Sequence, residues 1–439
     1  MNRFLATLCA LPLLYGFVRI ALPRMFPATY WFTVRFPVLF VTGHATWSSV
    51  AEGCGLVKTT RRFGRTFRHV PRLGLLRPHR YGFRVWLRLT AGQTPDTIRG
   101  AASQLAHSWG VQSARVENVR LGKVLLSVTV TDPLDNVSLP TATSGFLVAT
   151  VGRLETGAPW AIDFRVVPHW LIVGATQAGK STLLNAMIVD LAPQPVALVG
   201  FDLKGGVELT PYEPRMSKIA TQRSECIDLL TDLLGVIEDR QKLCRTSGAR
   251  NIWDLDPVRR PPPIVVLVDE VAELYLAGSS KDKDDIAHTS TAILRLAQLG
   301  RAFGIYLVVA GQRVGSDLGP GVTALRSQLS GRICHRVNDV ETARMTLGDI
   351  AADALQAAQD IAADQPGIAI TATSSGKWHR ARAVHVSSSK AEKTARDNAH
   401  LTPSWAELTR PIGLGMPPAA TVSARTTPEG GENHAQART

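Results

Sequence analysis

A glycine-rich segment that ends in lysine and serine carries the clearest chemistry in this sequence. Residues 174–181 read Gly-Ala-Thr-Gln-Ala-Gly-Lys-Ser and match the pattern G-x-x-x-x-G-K-[S/T]. In this pattern backbone N–H groups turn onto phosphate oxygens, the lysine reaches the β- and γ-phosphates, and the hydroxyl binds magnesium. The sequence therefore predicts a site for ATP and Mg²⁺, formed by Gly174, Ala175, Thr176, Gln177, Ala178, Gly179, Lys180, Ser181 and Thr182.

A second group of reactive side chains follows about ninety residues after Lys180. The apolar run 264–268 predicts a buried strand that ends at Asp269 and Glu270. Asp269 is predicted to hold the hydration shell of Mg²⁺, and Glu270 to orient and deprotonate the attacking water. The next apolar run ends at Gln312, which we predict to sense the γ-phosphate.

The elements around these residues alternate between apolar runs and helical patterns. Strands this apolar are buried on both faces, so the pattern predicts an α/β domain with a mainly parallel sheet covered by helices. We expect this P-loop ATPase domain over residues 138–386. The predicted strands cover residues 171–173, 196–201, 264–268, 305–310, 333–337 and 368–370, and the predicted helices 180–191, 224–244 and 286–303.

Residues 80–137 predict a smaller α+β module in front of that domain. A strand over 83–89 is followed by a helix that begins after Thr94, and two further strands follow at 113–119 and 123–131. Residues 58–79 are interpreted as a basic linker. Residues 387–439 are rich in Ser, Thr, Ala, Pro, Gly and Glu without periodicity, which predicts a disordered tail.

Positive charge is concentrated in the N-terminal fifth of the chain. Residues 1–92 contain fourteen Lys and Arg against Glu52 alone, a net +13 that equals the formal charge of the whole chain. Everything after residue 92 is therefore neutral overall, and bulk attraction for polyanions lies before it. Five cysteines without a C-x-x-C pair predict free thiols in a reducing compartment.

Two apolar runs, residues 5–18 and 30–43, precede most of this charge. Arg19 and Arg35 interrupt them, so neither reaches the roughly 18 to 20 residues of a spanning helix. A secretory signal, a degenerate pair of membrane helices and a peripheral amphipathic anchor are the alternatives. No small-residue cleavage site follows the first run, and a basic cluster after an apolar segment marks the cytoplasmic side of a membrane. We therefore predict that residues 1–57 associate with the membrane from the cytoplasmic side.

Five segments in this order resemble the FtsK/SpoIIIE branch of the FtsK–HerA ATPases. The resemblance covers about residues 141–386. It implies a RecA-like fold, ATP hydrolysis, and hexameric rings that thread double-stranded DNA. It also implies that Arg301 is a finger acting on a neighbouring subunit, and that Arg326, with Arg313 nearby, is a candidate DNA contact. The segments are residues 174–181, 202–206, 237–243, 264–270 and 293–313.

The domain layout narrows the function that this resemblance implies. Chromosome translocases carry four convincing membrane helices, a long linker and a C-terminal winged helix, a layout that this sequence does not predict. The chain looks more like the FtsK-like transfer proteins of actinobacterial conjugative plasmids and integrative elements. The resemblance then implies a homo-oligomer at the bacterial cell membrane, with double-stranded DNA and other transfer proteins as partners. A chromosome-partition translocase and a type VII-like secretion ATPase stay open as alternatives.

Overall fold

The structure, a computed structural model, describes residues 21–63, 65–135, 137–138, 145–276, 282–348, 352–373 and 376–411. The chain divides between Asp135 and Asn136. We call residues 1–135 the N-terminal unit and residues 136–439 the P-loop unit.

The N-terminal unit is a small antiparallel sheet with helices on one face. Its main sheet has the order β3-β5-β7-β6, and β4 pairs with β5. Along β5, Phe83, Val85 and Leu87 are buried, whereas Arg84 and Arg88 are exposed, as expected when one face is solvated. The strands are β1 (Lys58–Arg62), β2 (Arg65–His69), β3 (Arg72–Leu73), β4 (Arg77–His79), β5 (Gly82–Arg88), β6 (Ser113–Arg120) and β7 (Lys123–Thr129). The helices are α1 (Leu22–Met25), α2 (Pro27–Tyr30), α3 (Phe36–Gly53), α4 (Pro95–Gly100) and α5 (Ala102–Trp109), with a π-helical turn at Trp31–Arg35.

The second apolar run belongs to the core of this unit, which corrects the prediction of a membrane segment there. Trp47 and Ala51 of α3 are buried in the core. The Trp47 ring packs 5.8 Å from that of Trp109, and its Nε1 donates to the Pro71 carbonyl at 2.6 Å. None of the helices in the described ranges combines the length and the apolar character needed to cross a bilayer. The first apolar run, residues 5–18, lies outside the described residues.

Residues 58–79 are strands, which corrects the prediction of a linker. β1 and β2 form an antiparallel hairpin, and β3 and β4 both pair with β5. Alternating Thr, Arg, Phe and His side chains suit a half-exposed strand, and the density of charge concealed this periodicity.

The P-loop unit is built on a ten-stranded sheet with the order β12-β11-β13-β14-β10-β15-β16-β17-β8-β9. The first six strands are parallel, and the last four join them antiparallel. The strands are β8 (Val148–Leu154), β9 (Pro159–Asp163), β10 (His169–Val173), β11 (Ala197–Phe201), β12 (Lys218–Ala220), β13 (Ile264–Val268), β14 (Ile305–Gly311), β15 (Gly331–His335), β16 (Ile368–Thr373) and β17 (Trp378–Ala383). The helices are α6 (Lys180–Leu191), α7 (Arg223–Thr246), α8 (Asp282–Phe303), α9 (Val322–Gln328), α10 (Val340–Leu347), α11 (Ala352–Gln359), α12 (Ser388–Asp397) and α13 (Trp405–Leu408).

Helices cover both faces of this sheet. α6 packs on one face and α7 and α8 on the other, each over its own apolar core. All five residues of β10 and all five of β13 are buried. The α/β fold with a mainly parallel sheet is therefore confirmed, and it places the ends of β10, β13 and β14 at one edge.

Residues 388–408 include two helices, which corrects the prediction of a disordered tail for this part of the chain. Ala391 and Ala395 of α12 are buried, and α12 packs against α6. Trp405 of α13 donates from Nε1 to Asp232 at 3.0 Å. Small residues four apart let a polar helix lie close to the domain, a tertiary contact that composition does not reveal. Residues 412–439 lie outside the described residues.

Candidate active site

The glycine-rich loop joins the end of β10 to the start of α6. Gln177 and Gly179 have φ of +62° and +113°. A Cβ at Gly179 would lie 2.4 Å from the Gly367 nitrogen, so both the backbone angle and the space require glycine there. The first N–H groups of a helix have no partners inside it, and the start of α6 can therefore donate to phosphate oxygens.

Residues from two other segments hold this loop from below. The Ala175 N–H donates to the Arg336 carbonyl at 2.9 Å, and the Gly367 N–H donates to the Ala178 carbonyl at 3.0 Å. His335 lies under Gly174, where an added Cβ would come within 2.7 Å of the His335 Cβ. Sequence reasoning did not find these supports, because they belong to no motif and meet the loop only in the folded chain.

His335 is fully buried and neutral at physiological pH. Burial, with a smaller contribution from the Lys180 charge, lowers its pKa to about 4. Its Nδ1 lies 3.0 Å from the Ile368 carbonyl, so this nitrogen carries the proton and donates. A neutral ring beneath the loop adds no charge to the nucleotide site.

Glu270 is the meeting point of the predicted catalytic residues. Its Oε2 accepts from Lys180 Nζ at 3.3 Å and from Lys204 Nζ at 3.0 Å. Its Oε1 accepts from the Gln312 backbone N–H at 3.2 Å. The Glu270 side chain is only 6% exposed, so three donors compensate a buried carboxylate. The structure thus brings Lys180, Glu270 and Gln312 together.

Asp269 lies beside Glu270 at the end of β13 and is buried. Burial raises its pKa, and the nearby carboxylates of Glu208 and Asp202 act in the same direction, against Lys180 and Lys204. A carboxylate that loses solvation in this way gains from a divalent cation. Ser181 lies in the first turn of α6, and its hydroxyl and the Asp269 carboxylate are the oxygen donors that Mg²⁺ prefers.

Lys204 is a site residue that sequence reasoning recognised only as part of a family segment. Its neighbour Asp202 shapes the loop by accepting from the N–H groups of Glu208 and Leu209, each at 2.8 Å. Burial lowers the pKa of Lys204, but the hydrogen bond and charge of Glu270 outweigh it, and the pKa is raised. Lys204 therefore stays cationic and fixes the Glu270 carboxylate.

Arg301 lies at the opposite edge of the sheet from the loop. It is exposed in the last turn of α8, just before β14 begins. Since β14 and β10 are parallel, the start of β14 and the end of β10 lie at opposite edges. The structure therefore does not bring Arg301 to the nucleotide site of its own chain.

The two candidate DNA contacts lie near one another but differ in exposure. Arg313 is exposed and lies 3.6 Å from Asp317. Arg326 is half-buried and donates from Nη1 to the Val314 carbonyl at 3.1 Å, so it supports the loop that carries Arg313. Both assignments to DNA stay predictions.

One family segment has a structural role. Arg240, within residues 237–243, is buried and donates to the carbonyls of Phe303 at 2.6 Å and Pro262 at 2.7 Å. It satisfies the last carbonyls of α8 rather than contacting nucleotide.

Comparison with known proteins agrees with this geometry. Residues 140–316 match the model of the FtsK/SpoIIIE family, and residues 19–130 match that of the actinomycete conjugal transfer protein N-terminal domain. The transfer protein TraSA of Streptomyces ambofaciens is 40% identical over 406 residues, covering 87% of this chain and 98% of that protein. A sporulation regulatory protein of Streptomyces azureus is 45% identical over 255 residues, covering 58% of this chain and 82% of that protein.

A solved structure supports the fold. The pCW3 conjugation coupling protein TcpA, in monomer form with ATPgS, aligns with a TM-score of 0.55 and 21% identity. The alignment covers 74% of this chain and 93% of TcpA.

Proposed function

We propose that this chain, which belongs to the FtsK/SpoIIIE family of P-loop ATPases, moves double-stranded DNA during conjugal transfer. One observation carries the enzymatic part: Glu270 is held by Lys180, Lys204 and the Gln312 N–H beside a phosphate-binding loop. A relative of nearly the same length is named a transfer protein, which supports conjugation over chromosome partition.

The residues of the site divide the chemistry between them. The loop N–H groups and Lys180 bind and orient the phosphates of ATP, and Mg²⁺, held by Ser181 and through water by Asp269, would neutralise developing charge on the phosphates. When Lys180 turns to the phosphates, Glu270 keeps the Lys204 and Gln312 donors that aim its carboxylate at the attacking water. The Gln312 side chain is exposed at this edge and can report the presence of the γ-phosphate.

The decisive assay is ATP hydrolysis with and without long duplex DNA. We expect strong stimulation that falls as salt is added, because DNA binding releases counterions. Lys180→Ala should lose nucleotide binding, and Glu270→Gln should bind ATP but turn over more slowly by orders of magnitude. Unchanged hydrolysis in both variants would remove the ATPase site from these residues. An active enzyme that no DNA stimulates would favour the secretion ATPase.

A homo-oligomer, which we propose to be a hexameric ring, follows from the position of Arg301. An exposed arginine at the far edge of the sheet can reach a nucleotide only on a neighbouring subunit. Mixing inactive Arg301→Ala with inactive Glu270→Gln should therefore restore hydrolysis at interfaces that combine one intact Arg301 with one intact Glu270. No recovery at any mixing ratio would refute the role in trans.

In such a ring, Arg313 is the better of the two candidate pore contacts. Its side chain is exposed, whereas that of Arg326 is committed to the Val314 carbonyl. We propose that repeated copies of Arg313 contact DNA phosphates and that Arg326 positions their loop.

We also propose attachment to the cytoplasmic face of the membrane. Large apolar side chains of the first helices are exposed, as on an amphipathic anchor. Flotation with anionic vesicles should retain the chain and lose it when Phe32, Val38 and Val41 are changed to Ser. Equal flotation of both would contradict this face as the anchor. The exposed side chains are Met25, Phe26, Phe32, Val38 and Val41.

A further inference from the structure

The solvated face of the N-terminal sheet carries an ordered array of basic side chains. Residues that pair across antiparallel strands point to the same face, so the register identifies which side chains share it. Trp86 and Leu125 pair at the centre of the face opposite the buried core. Basic residues lie in rows on both sides of this central pair.

Each row crosses neighbouring strands without a break in the pairing. The first row runs through β3, β5, β7 and β6 and contains Arg72, Arg88, Lys123 and Arg120. The second row runs through β4, β5, β7 and β6 and contains Arg77, Arg84, Ser127 and Arg115.

Little negative charge compensates these rows. Between residues 65 and 131 the only acids are Asp96 and Glu117. Asp96 pairs with Arg99 on α4, and Glu117 pairs with Arg84 at 2.7 Å. The first row has no acidic partner within the described residues.

The central tryptophan supports this row. Arg120 lies over the Trp86 ring at 5.4 Å and Lys123 at 5.0 Å. Cation–π contacts of this kind orient both cations without neutralising them. Trp86 is half-buried beneath them, so it is poorly placed to stack on an unpaired base.

The spacing of the rows suits a duplex. Arg84 and Arg88 are four residues apart on β5, which separates the rows by about 13 Å. This distance is close to the roughly 12 Å width of the DNA major groove, which two phosphate backbones border. A lipid surface would instead select exposed apolar side chains, and neither Trp86 nor Leu125 is exposed.

We propose that this face binds the two phosphate backbones of double-stranded DNA, one along each basic row. Contacts to phosphate fix position without reading sequence. The face gives the chain a DNA site outside the P-loop unit, which is neutral overall, and its binding requires no nucleotide.

The test compares two double variants of the full-length chain with equal loss of charge. Arg88→Gln/Arg120→Gln removes two cations of the first row, and Arg61→Gln/Arg65→Gln removes two exposed cations of the β1–β2 hairpin. Binding of a labelled duplex is followed by anisotropy between about 50 and 200 mM salt. We expect the row variant to lower the slope of log K against log salt by about 2, at about 0.9 per phosphate. The hairpin variant should keep the wild-type slope.

Two further arms separate the alternatives. Arg88→Lys/Arg120→Lys should restore binding, since lysine also binds phosphate as a point charge. A row variant that binds DNA normally but loses phosphatidylglycerol vesicles would overturn the proposal in favour of lipid. Equal losses in the row and hairpin variants would also overturn it, because attraction would then be diffuse.

The Lys180→Ala chain makes the result independent of the motor function. It should bind duplex DNA as wild type does and lose affinity with the same row substitutions. If DNA binds there but fails to stimulate ATP hydrolysis in the wild type, the proposed motor fails and the binding face stands.

Discussion

The two main sheets of this molecule use charge in opposite places. In the P-loop unit the strands are apolar throughout, and Lys180, Asp269 and Glu270 follow strand ends. In the N-terminal unit, Arg84 and Arg88 lie in the middle and at the end of an exposed strand face. Charges at one edge of a buried sheet converge on a small ligand, whereas charges spread over a face suit an extended polyanion.

This difference also separates what water does in the two units. Exclusion of water strengthens the contacts of Glu270 with Lys180 and Lys204. The exposed arginines of the N-terminal face keep their hydration until a polyanion displaces counterions, so their effect depends on salt. Substitutions in each unit should therefore fail in different ways.

The largest expected effect concerns the apolar helix of the N-terminal unit. Trp47→Ala removes a ring that packs on Trp109 and fills the core, and such truncations cost about 3–5 kcal/mol. Urea unfolding of the N-terminal unit, followed by tryptophan fluorescence, measures the loss. ATP affinity should change little.

Val41→Ala is the matched control on the same helix. Val41 is 65% exposed, and exposed substitutions usually change stability by less than about 0.5 kcal/mol. If Trp47→Ala were equally mild, α3 would not be a core helix, and the comparison between the two units would lose its basis.

Next in size is the effect of Lys204 on turnover. Lys204→Gln keeps a donor near Glu270 but removes the charge, and we expect kcat to fall by about ten- to a hundredfold with KM for ATP little changed. Lys204→Arg should recover part of the rate. Steady-state kinetics measures both, with Lys242→Gln, which removes an exposed ion pair on α7, as control. A loss confined to KM would show that Lys204 acts in binding instead.

The sequence predicted the P-loop unit well because its signals are local. Continuous apolar runs are typical of buried parallel strands, and the loop motif depends on adjacent residues. His335 and Gly367 escaped prediction because they support the loop from segments more than 150 residues away along the chain. No local pattern records a contact made at that separation.

The N-terminal unit was predicted less well because composition is ambiguous there. An apolar helix suits both a membrane and a protein core, and only the contact of Trp47 with Trp109 distinguishes them. Dense arginines concealed the period of β1 to β4. In the tail, Ala391 and Ala395 are unremarkable in composition and become core residues only against α6.

The smallest expected effect is an acid sensitivity that His335 gives to the P-loop unit. Its pKa is about 4 in the folded chain and about 6.5 when unfolded. As pH falls below 6.5 the unfolded state takes up the proton first, so stability present above that pH is lost progressively down to pH 4. Between pH 7 and 5.5 this histidine alone should cost about 1 kcal/mol.

His335→Asn keeps a donor for the Ile368 carbonyl and removes the titration. Its stability should therefore fall less with acid than that of the wild type, by about 1 kcal/mol over the same interval, even though its absolute stability is lower. Urea unfolding at several pH values measures the difference. His288→Asn, at an exposed position, should show the wild-type dependence. Parallel pH profiles for wild type and His335→Asn would mean that the ring beneath the loop is protonated in the folded chain, and the neutral support assigned to the nucleotide site would be wrong.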